Sequence, residues 1–258
     1  MKKRLVALLL TVCLVAAVSV IPVMAHGHHH VTHRPVTNSR PIFVSTNKDP
    51  SVFVGPFSKT LPFTDVQTTD WFVDAVRFVY HEDMMKGVSA TEFKPNEGLT
   101  RAMAAQILYN MASNPGAAPA EFSDVAPTDW YEDAIGWAAS LDIVTGYEDG
   151  TFRPNELVTR EQIVAMLHRY AGYREVDRVY MAKLEKYEDC KDIGAWAFAS
   201  MQWAAAAELL NEETDVLRPK DTATRAEVAQ LLWNYCKAAA DSTLFFTPSS
   251  HFAKPWFK

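Results

Sequence analysis

The sequence contains one pattern in three copies, and this repeat constrains the fold more than any other feature. In each copy an aspartate is followed, 35 residues later, by a threonine–arginine pair. A proline with a basic residue before it stands five positions ahead of each threonine. The aspartates are Asp65, Asp124 and Asp189, and the pairs are Thr100-Arg101, Thr159-Arg160 and Thr224-Arg225. Copies about 60 residues apart with a constant internal step indicate an internal structural repeat.

The second copy shows most clearly what one repeat folds into. Residues 146–155 contain two glycines, an aspartate and a proline, so they predict a turn with Phe152 as its apolar anchor. Thr159 follows as a helix N-cap, and Gln162 at position N3 completes a capping box. The residues after the cap carry an apolar stripe at helical spacing. This half of the repeat is therefore predicted to be a turn, a cap and an amphipathic helix.

A second helix is predicted near the start of each copy, entered at a tryptophan and about four turns long. Each repeat is then helix, long turn, helix, which gives six major helices and almost no strand. A two-helix unit cannot bury its own apolar face, but three stacked units can. We therefore predict an all-α fold in which the three repeats pack as a pseudo-threefold helical bundle. Equivalent clefts would lie between neighbouring repeats, each lined by an aspartate, a tryptophan and an arginine.

The two ends of the chain lie outside the repeats. Residues 1–25 are predicted to be a signal peptide, because three basic residues precede an apolar run that ends at a small-residue cleavage site. A retained membrane anchor is the alternative. The remaining segments are a His/Pro-rich arm or linker at 26–62, repeats at 63–112, 122–172 and 187–238, a linker at 173–186, and an aromatic C-terminal tail at 239–258.

The charge of the chain limits its partners. Without the signal peptide, 22 basic residues face 31 acidic ones, a net charge of −9. A nucleic-acid partner is not expected, because phosphate binding requires a basic surface. Local arginines can still bind an anionic polymer. No cofactor is expected, and no membrane contact after signal cleavage.

The repeats resemble the S-layer homology module of bacterial cell-surface proteins. The pattern F-x-D-V, W, G-Y-x-D-G-T-F-R-P-N and T-R-x-E/Q is matched almost completely by residues 122–162. The first copy keeps the frame but lacks the glycine–aspartate turn and has Met103 in place of the capping glutamate. The third copy has lost both turn glycines. The resemblance covers residues 63–238.

This resemblance implies a secreted protein of the bacterial cell wall or S-layer surface. Such triplets anchor proteins non-covalently by binding an anionic secondary cell-wall polysaccharide, often carrying ketal-linked pyruvate, in grooves between repeats. The family's ligand contact is the arginine after the cap threonine, which corresponds to Arg101, Arg160 and Arg225. A guanidinium can bind the ketal carboxylate through two hydrogen bonds. We favour ligand contact, most strongly for Arg160, over the alternative that the arginines pair with the repeat aspartates to hold the repeats together.

The other candidate ligand-binding residues also have two interpretations. The tryptophans offer flat faces to sugar rings, but we favour a place in the core. The aspartates are equally consistent with capping the turn and with hydrogen bonding to a sugar. The tryptophans are Trp71, Trp130 and Trp196, and the aspartates are Asp65, Asp124 and Asp189. Gly146 and Gly150 serve the turn backbone first, and their loss from the third copy predicts only one or two working grooves.

The termini of the chain suggest functions other than anchoring. The chain could be a surface scaffold whose aromatic tail docks a protein partner, although we favour a tail that folds over the bundle. It could also bind a metal through its histidine arm, although we favour a solvated arm. Those histidines are His26, His28, His29, His30 and His33. An enzyme is not expected, because no paired carboxylates or nucleophile pattern occur outside the repeats. Cys190 and Cys236 are either bonded within the third repeat or, as we favour, two buried thiols.

Overall fold

The computed structural model describes residues 60–240, apart from 117, 177, 179–180 and 211–214. This part of the chain forms six α-helices and one short 3-10 helix (Cys190–Asp192), with isolated β-bridges but no β-strand. The α-helices are α1 (Val73–His81), α2 (Arg101–Met111), α3 (Glu132–Ser140), α4 (Arg160–Tyr173), α5 (Phe198–Ala206) and α6 (Arg225–Ala240). The predicted all-α fold with six major helices is confirmed.

The second helix of each repeat begins directly after its threonine, as predicted. At α4 the Thr159 hydroxyl accepts from the Gln162 amide at 3.3 Å, and the Gln162 side chain accepts from the Thr159 amide at 2.9 Å. Thr224 and Glu227 make the same pair of bonds at α6. At α2 the Thr100 hydroxyl accepts from the Met103 amide, but the second bond of the capping box is missing because the Met103 side chain cannot accept from the Thr100 amide.

The first helix of each repeat is shorter than predicted. α1, α3 and α5 have 9 residues each, about two and a half turns rather than four. Each begins two residues after its tryptophan, which therefore lies in a turn. Each is followed by a residue with a left-handed backbone, φ 55° at Asp83 and Asp142 and 54° at Glu208. A left-handed residue stops the helical hydrogen-bond pattern, so the next apolar residues pack as a loop.

The helices pair between repeats. α2 packs against α3, α4 packs against α5, and α6 packs against α1. The second helix of each repeat therefore contacts the first helix of the next, and the last repeat returns to the first. This pairing gives each short helix the apolar partner that its own repeat does not provide.

Three buried residues join the repeats at the centre. The Leu99 amide donates to Ala223, the Ala223 amide donates to Val158, and the Val158 amide donates to Leu99, all at 2.8–3.0 Å. This closed ring of backbone bonds has one member from each repeat. It is the connectivity that a pseudo-threefold bundle requires, although the threefold relation itself stays a prediction.

Candidate functional site

Each repeat aspartate binds the turn of its own repeat. Asp124 accepts hydrogen bonds from the amides of Phe152 and Arg153, both at 2.7 Å. Asp65 binds the amides of Phe93 and Lys94 in the same way, and Asp189 binds those of Leu217 and Arg218. The second amide always belongs to the base before the proline, which has a left-handed backbone (φ 60°, 58° and 51°). The aspartates therefore stabilise an unfavourable turn conformation, and a sugar contact by them stays a prediction.

The cap arginines reach into the turn of the next repeat. Arg101 donates from Nε to the Phe152 carbonyl at 2.8 Å and from Nη2 to the Thr145 carbonyl at 2.9 Å. Arg225 donates in the same way to the carbonyls of Phe93 and Lys86, both at 2.7 Å. Both residues are only 5% exposed. The arginines do hold repeat to repeat, but through carbonyl oxygens rather than through the repeat aspartates.

Arg160 differs from the other two arginines in one bond. Its Nε donates to the Leu217 carbonyl at 2.9 Å, but its Nη1 donates to Glu227 at 2.8 Å. The same carboxylate oxygen accepts from Arg218 at 2.7 Å. Glu227 thus joins two guanidinium groups as well as capping α6. The sequence shows Glu227 as a cap residue, but its second role depends on how neighbouring repeats meet.

Burial affects the ionisation of these groups in opposite ways. Burial lowers the pKa of Arg101, Arg160 and Arg225, but the ordinary pKa of arginine is high enough that all three stay protonated. Burial alone would raise the pKa of Glu227. The hydrogen bond from the Thr224 amide, the charge of Arg160 and the hydrogen bond from Arg218 outweigh it and hold that pKa below its ordinary value.

The three repeat tryptophans are on the surface, so the core position favoured from the sequence is wrong. Trp71, Trp130 and Trp196 are 59%, 61% and 54% exposed. Trp71 lines a groove of about 130 Å³ together with Arg160, Arg218 and Glu227. The floor of this Arg160 groove is apolar and comes from α4, α5, α6 and the loop after α5. The structure thus brings an exposed aromatic ring and a cap arginine to one groove. The tryptophan belongs to the first repeat, whose α1 packs against α6 of the third.

An aromatic residue that the sequence analysis did not select lies beside Arg101. The Tyr147 ring is 5.0 Å from the guanidinium carbon of Arg101 and 3.8 Å from that of Arg153. Both cations therefore lie within cation–π distance of one ring. We name this place, where Arg101 enters the turn of the second repeat, the Arg101 cleft. Its equivalent, where Arg225 enters the turn of the first repeat, is the Arg225 cleft.

Gly146 and Gly150 serve the turn for different reasons. A Cβ atom on Gly146 would lie 2.4 Å from the Phe122 ring and 2.7 Å from the Thr151 carbonyl oxygen. Gly150 has open space around it but a left-handed backbone, with φ at 78°. Both are turn residues, and a ligand contact by either stays a prediction.

The remaining sequence candidates contribute less to the site. The histidines of the arm and the aromatic tail lie outside the described residues. Cys190 and Cys236 are free thiols, and burial raises the pKa of Cys236 to about 12, so its thiol is unreactive at neutral pH. Within residues 60–240 as described, no helix is long and apolar enough to span a membrane.

Comparison with known proteins supports the resemblance. A family model for the S-layer homology domain matches residues 62–105, 121–164 and 186–229, about half of the chain. The chain belongs to the S-layer homology domain family. It carries three of these domains in tandem. Each match begins one residue before a repeat and ends inside the second helix of that repeat.

The relatives of the chain include surface proteins and enzymes. It is 31% identical over 195 residues to an endoglucanase of Bacillus sp. (strain KSM-635), which covers 74% of this chain and 20% of the enzyme. It is 28% identical over 181 residues to the surface-layer 125 kDa protein of Lysinibacillus sphaericus (66% and 15%). It is 27% identical over 183 residues to the S-layer protein sap of Bacillus anthracis (69% and 21%).

The chain spans a fifth or less of the length of the first relatives that it matches. The similarity therefore concerns the shared domains and not the whole of those proteins. The family and its S-layer members indicate a cell-surface location and support a role in surface anchoring.

Proposed function

We propose that the chain anchors non-covalently to the bacterial cell wall by binding an anionic secondary cell-wall polysaccharide between its repeats. The observation that supports this most directly is the position of Trp71, an exposed ring on the rim of a groove that also contains Arg160 and Arg218. An exposed indole ring offers a large apolar face to a ligand. The other two tryptophans have the same exposure.

The chemistry of the surface fits a charged sugar polymer. The flat face of an indole can cover the apolar face of a sugar ring, and a guanidinium can bind a carboxylate such as that of a pyruvate ketal. The Arg160 groove, at about 130 Å³, is smaller than the pockets that enclose whole small molecules. It has room for one substituent of a sugar that otherwise lies on the surface. A polymer could contact several such places at once and gain avidity.

The relatives agree with a binding role rather than a catalytic one. Surface-layer proteins and an endoglucanase share similarity with this chain over a small part of their lengths. A domain found in both an enzyme and surface-layer proteins is better explained by a shared location on the cell than by a shared reaction.

Sedimentation with purified cell-wall sacculi tests the proposal. The full chain should sediment with intact sacculi and stay in solution with sacculi stripped of their secondary polymer. The triple variant Trp71→Ala, Trp130→Ala and Trp196→Ala should lose most of the binding while keeping its helical circular dichroism, because all three rings are exposed. A matched control is Met181→Ala, which removes another exposed apolar side chain, 47% exposed, and should bind normally.

Two results would contradict the proposal. One is equal sedimentation with intact and stripped sacculi, which would mean that peptidoglycan or non-specific adhesion is responsible. The other is unchanged binding by the folded tryptophan variant, which would exclude the exposed rings from the contact.

A further inference from the structure

The three inter-repeat sites are built from the same three positions. The first is the cap arginine of one repeat, the second is the base before the proline of the next, and the third is the N3 residue of that next repeat's second helix. The sets are Arg101, Arg153 and Gln162; Arg160, Arg218 and Glu227; and Arg225, Lys94 and Met103. The N3 residue is thus neutral in the first set, acidic in the second and apolar in the third.

The acidic N3 residue is fully engaged by the protein itself. One Glu227 oxygen accepts from Arg160 at 2.8 Å and from Arg218 at 2.7 Å. The other accepts from the Thr224 amide at 2.9 Å and its hydroxyl at 3.1 Å. The side chains of Arg160 and Glu227 are only 17% and 16% exposed. This carboxylate therefore holds the position that the carboxylate of a ligand would take between the two arginines.

The other two cap arginines form no hydrogen bond or ion pair with a carboxylate of any described residue. Arg101 and Arg225 each donate from Nε and Nη2 to carbonyl oxygens, and Nη1 of each has no hydrogen bond to any described residue. Each guanidinium lies over an aromatic ring, Phe152 at 4.5 Å for Arg101 and Phe93 at 4.6 Å for Arg225. Nearby carboxylates act on them only through their charge, Glu156 and Asp124 on Arg101 and Glu97 and Asp65 on Arg225. A nearly buried cation without a hydrogen-bonded carboxylate is stabilised further by an anion that reaches its open edge.

Resting on the function proposed above, we infer that Glu227 is a built-in carboxylate that closes the Arg160 groove to anions. The anionic substituents of the wall polymer then bind in the Arg101 and Arg225 clefts. The Arg160 groove still offers the Trp71 ring and an apolar floor, so its contribution is to an uncharged part of a sugar. This reverses the ranking from the sequence, which favoured Arg160 as the ligand contact.

Surface ion pairs near the two open clefts do not alter this assignment. Arg153 is paired with Asp149 at 3.0 Å and with Glu156 at 3.6 Å, and Lys94 with Glu97 at 3.2 Å. These side chains are 38–60% exposed, and exposed pairs exchange readily with a ligand or with salt. The pairs at Glu227 involve a mostly buried carboxylate that also caps a helix, so a ligand displaces it at greater cost.

The chain supplies matched substitutions for a test. Gln162 shows that glutamine at N3 completes the capping box, so Glu227→Gln should open the Arg160 groove without loosening α6. In the opposite direction, Gln162→Glu and Met103→Glu place a capping carboxylate next to Arg101 and Arg225. Each substitution copies a residue that another repeat already carries at N3, so the folded state is preserved.

Titration calorimetry on the full chain reads out the number of anion sites. The probe is a methyl hexoside bearing a pyruvate ketal, and its control is the isopropylidene hexoside, in which a methyl group replaces the carboxylate. The wild-type chain should bind two molecules of the charged probe and the Glu227→Gln variant three. Gln162→Glu should bind one, and Gln162→Glu combined with Met103→Glu none. Every protein that binds the charged probe should bind the control at least tenfold more weakly.

Three wild-type sites for the charged probe, or an unchanged number in Glu227→Gln, would overturn the assignment of Glu227. Equal binding of the charged and control probes, or no binding of either, would overturn recognition of an anion in any cleft. Sedimentation with sacculi separates these results from failure of the proposed function. A chain that still sediments only with intact walls anchors through a different chemistry, whereas one that ignores walls does not anchor.

Discussion

Arg101 donates from Nε to the carbonyl oxygen of Phe152, 2.8 Å away and 51 residues later in the chain. A second bond, to Thr145, fixes the same guanidinium to the other end of that turn. Arg101→Ala should lower the free energy of unfolding by about 3 kcal/mol, because it leaves two carbonyl groups without their donors. Urea denaturation followed by circular dichroism measures the change.

The control for Arg101 is Arg153, whose charged end is at the surface. Arg153→Ala removes exposed ion pairs and a contact with the Tyr147 ring, and should cost less than about 1 kcal/mol. Equal midpoints for both variants would show that Arg101 is not a tie between repeats. The comparison matters for binding studies, because an arginine-to-alanine variant that fails to bind walls can simply be unfolded.

Asp124 provides a second test of how the turn is held. Its two bonds to the amides of Phe152 and Arg153 are both 2.7 Å long, and hydrogen bonds to a carboxylate are worth more than neutral ones. Asp124→Ala should therefore destabilise the fold by about 3 kcal/mol, measured by the same denaturation. Glu148, exposed in the same turn, is the matched control, and its alanine variant should unfold at the wild-type midpoint. A reversed order of the two would mean that the exposed side of the turn governs its stability.

Local patterns in the sequence were sufficient to predict the helices that begin at caps. Thr159 and Gln162 are three residues apart, so their bonds follow from helix geometry alone. Phe152 was predicted as the anchor of its turn and is fully buried. The lengths of α1, α3 and α5 were overestimated, because apolar periodicity continues past the left-handed residues that stop each helix.

Features that depend on how repeats meet could not be predicted in the same way. The partners of Arg101 and Arg225 are carbonyl oxygens of another repeat. Every residue has a carbonyl oxygen, so the sequence does not indicate which ones accept these hydrogen bonds. Trp71 is exposed because α1 begins two residues after it. The tryptophan therefore lies in a turn, where its ring faces solvent and not the core. The constant step of 35 residues did contain the information on Asp124, since it keeps the aspartate and the turn it binds in fixed register.

The two glycines of the second turn should respond differently to substitution. Gly150→Ala should cost about 1 kcal/mol from its left-handed backbone alone, and Gly150→Asn less, since asparagine tolerates that conformation. Gly146→Ala should cost about 1–3 kcal/mol from collision with Phe122 and Thr151. Adding Phe122→Ala should reduce the cost at Gly146 but not at Gly150, which a double-mutant cycle measures. Additive costs at Gly146 and Phe122 would contradict the steric explanation.

His168 should make the fold sensitive to mild acid. Its Nδ1 lies 3.0 Å from the Ser200 hydroxyl, and its ring is 5.0 Å from that of Trp203. Burial, followed by the charges of Arg178 and Arg169, lowers the pKa of His168 to about 4, below the value of about 6.5 in an unfolded chain. The unfolded state therefore binds the proton first as the pH falls.

This difference in pKa defines the pH window in which the stability is lost. The contribution of neutral His168 is complete above pH 6.5 and disappears as the pH falls to about 4. At about 1.4 kcal/mol for each pKa unit, the loss is at most roughly 3 kcal/mol, and partial exposure of the ring reduces it. His168→Gln should flatten the pH dependence of unfolding between these values when urea midpoints are compared with wild type. Parallel curves for the two proteins would mean that His168 takes up its proton equally in the folded and unfolded states.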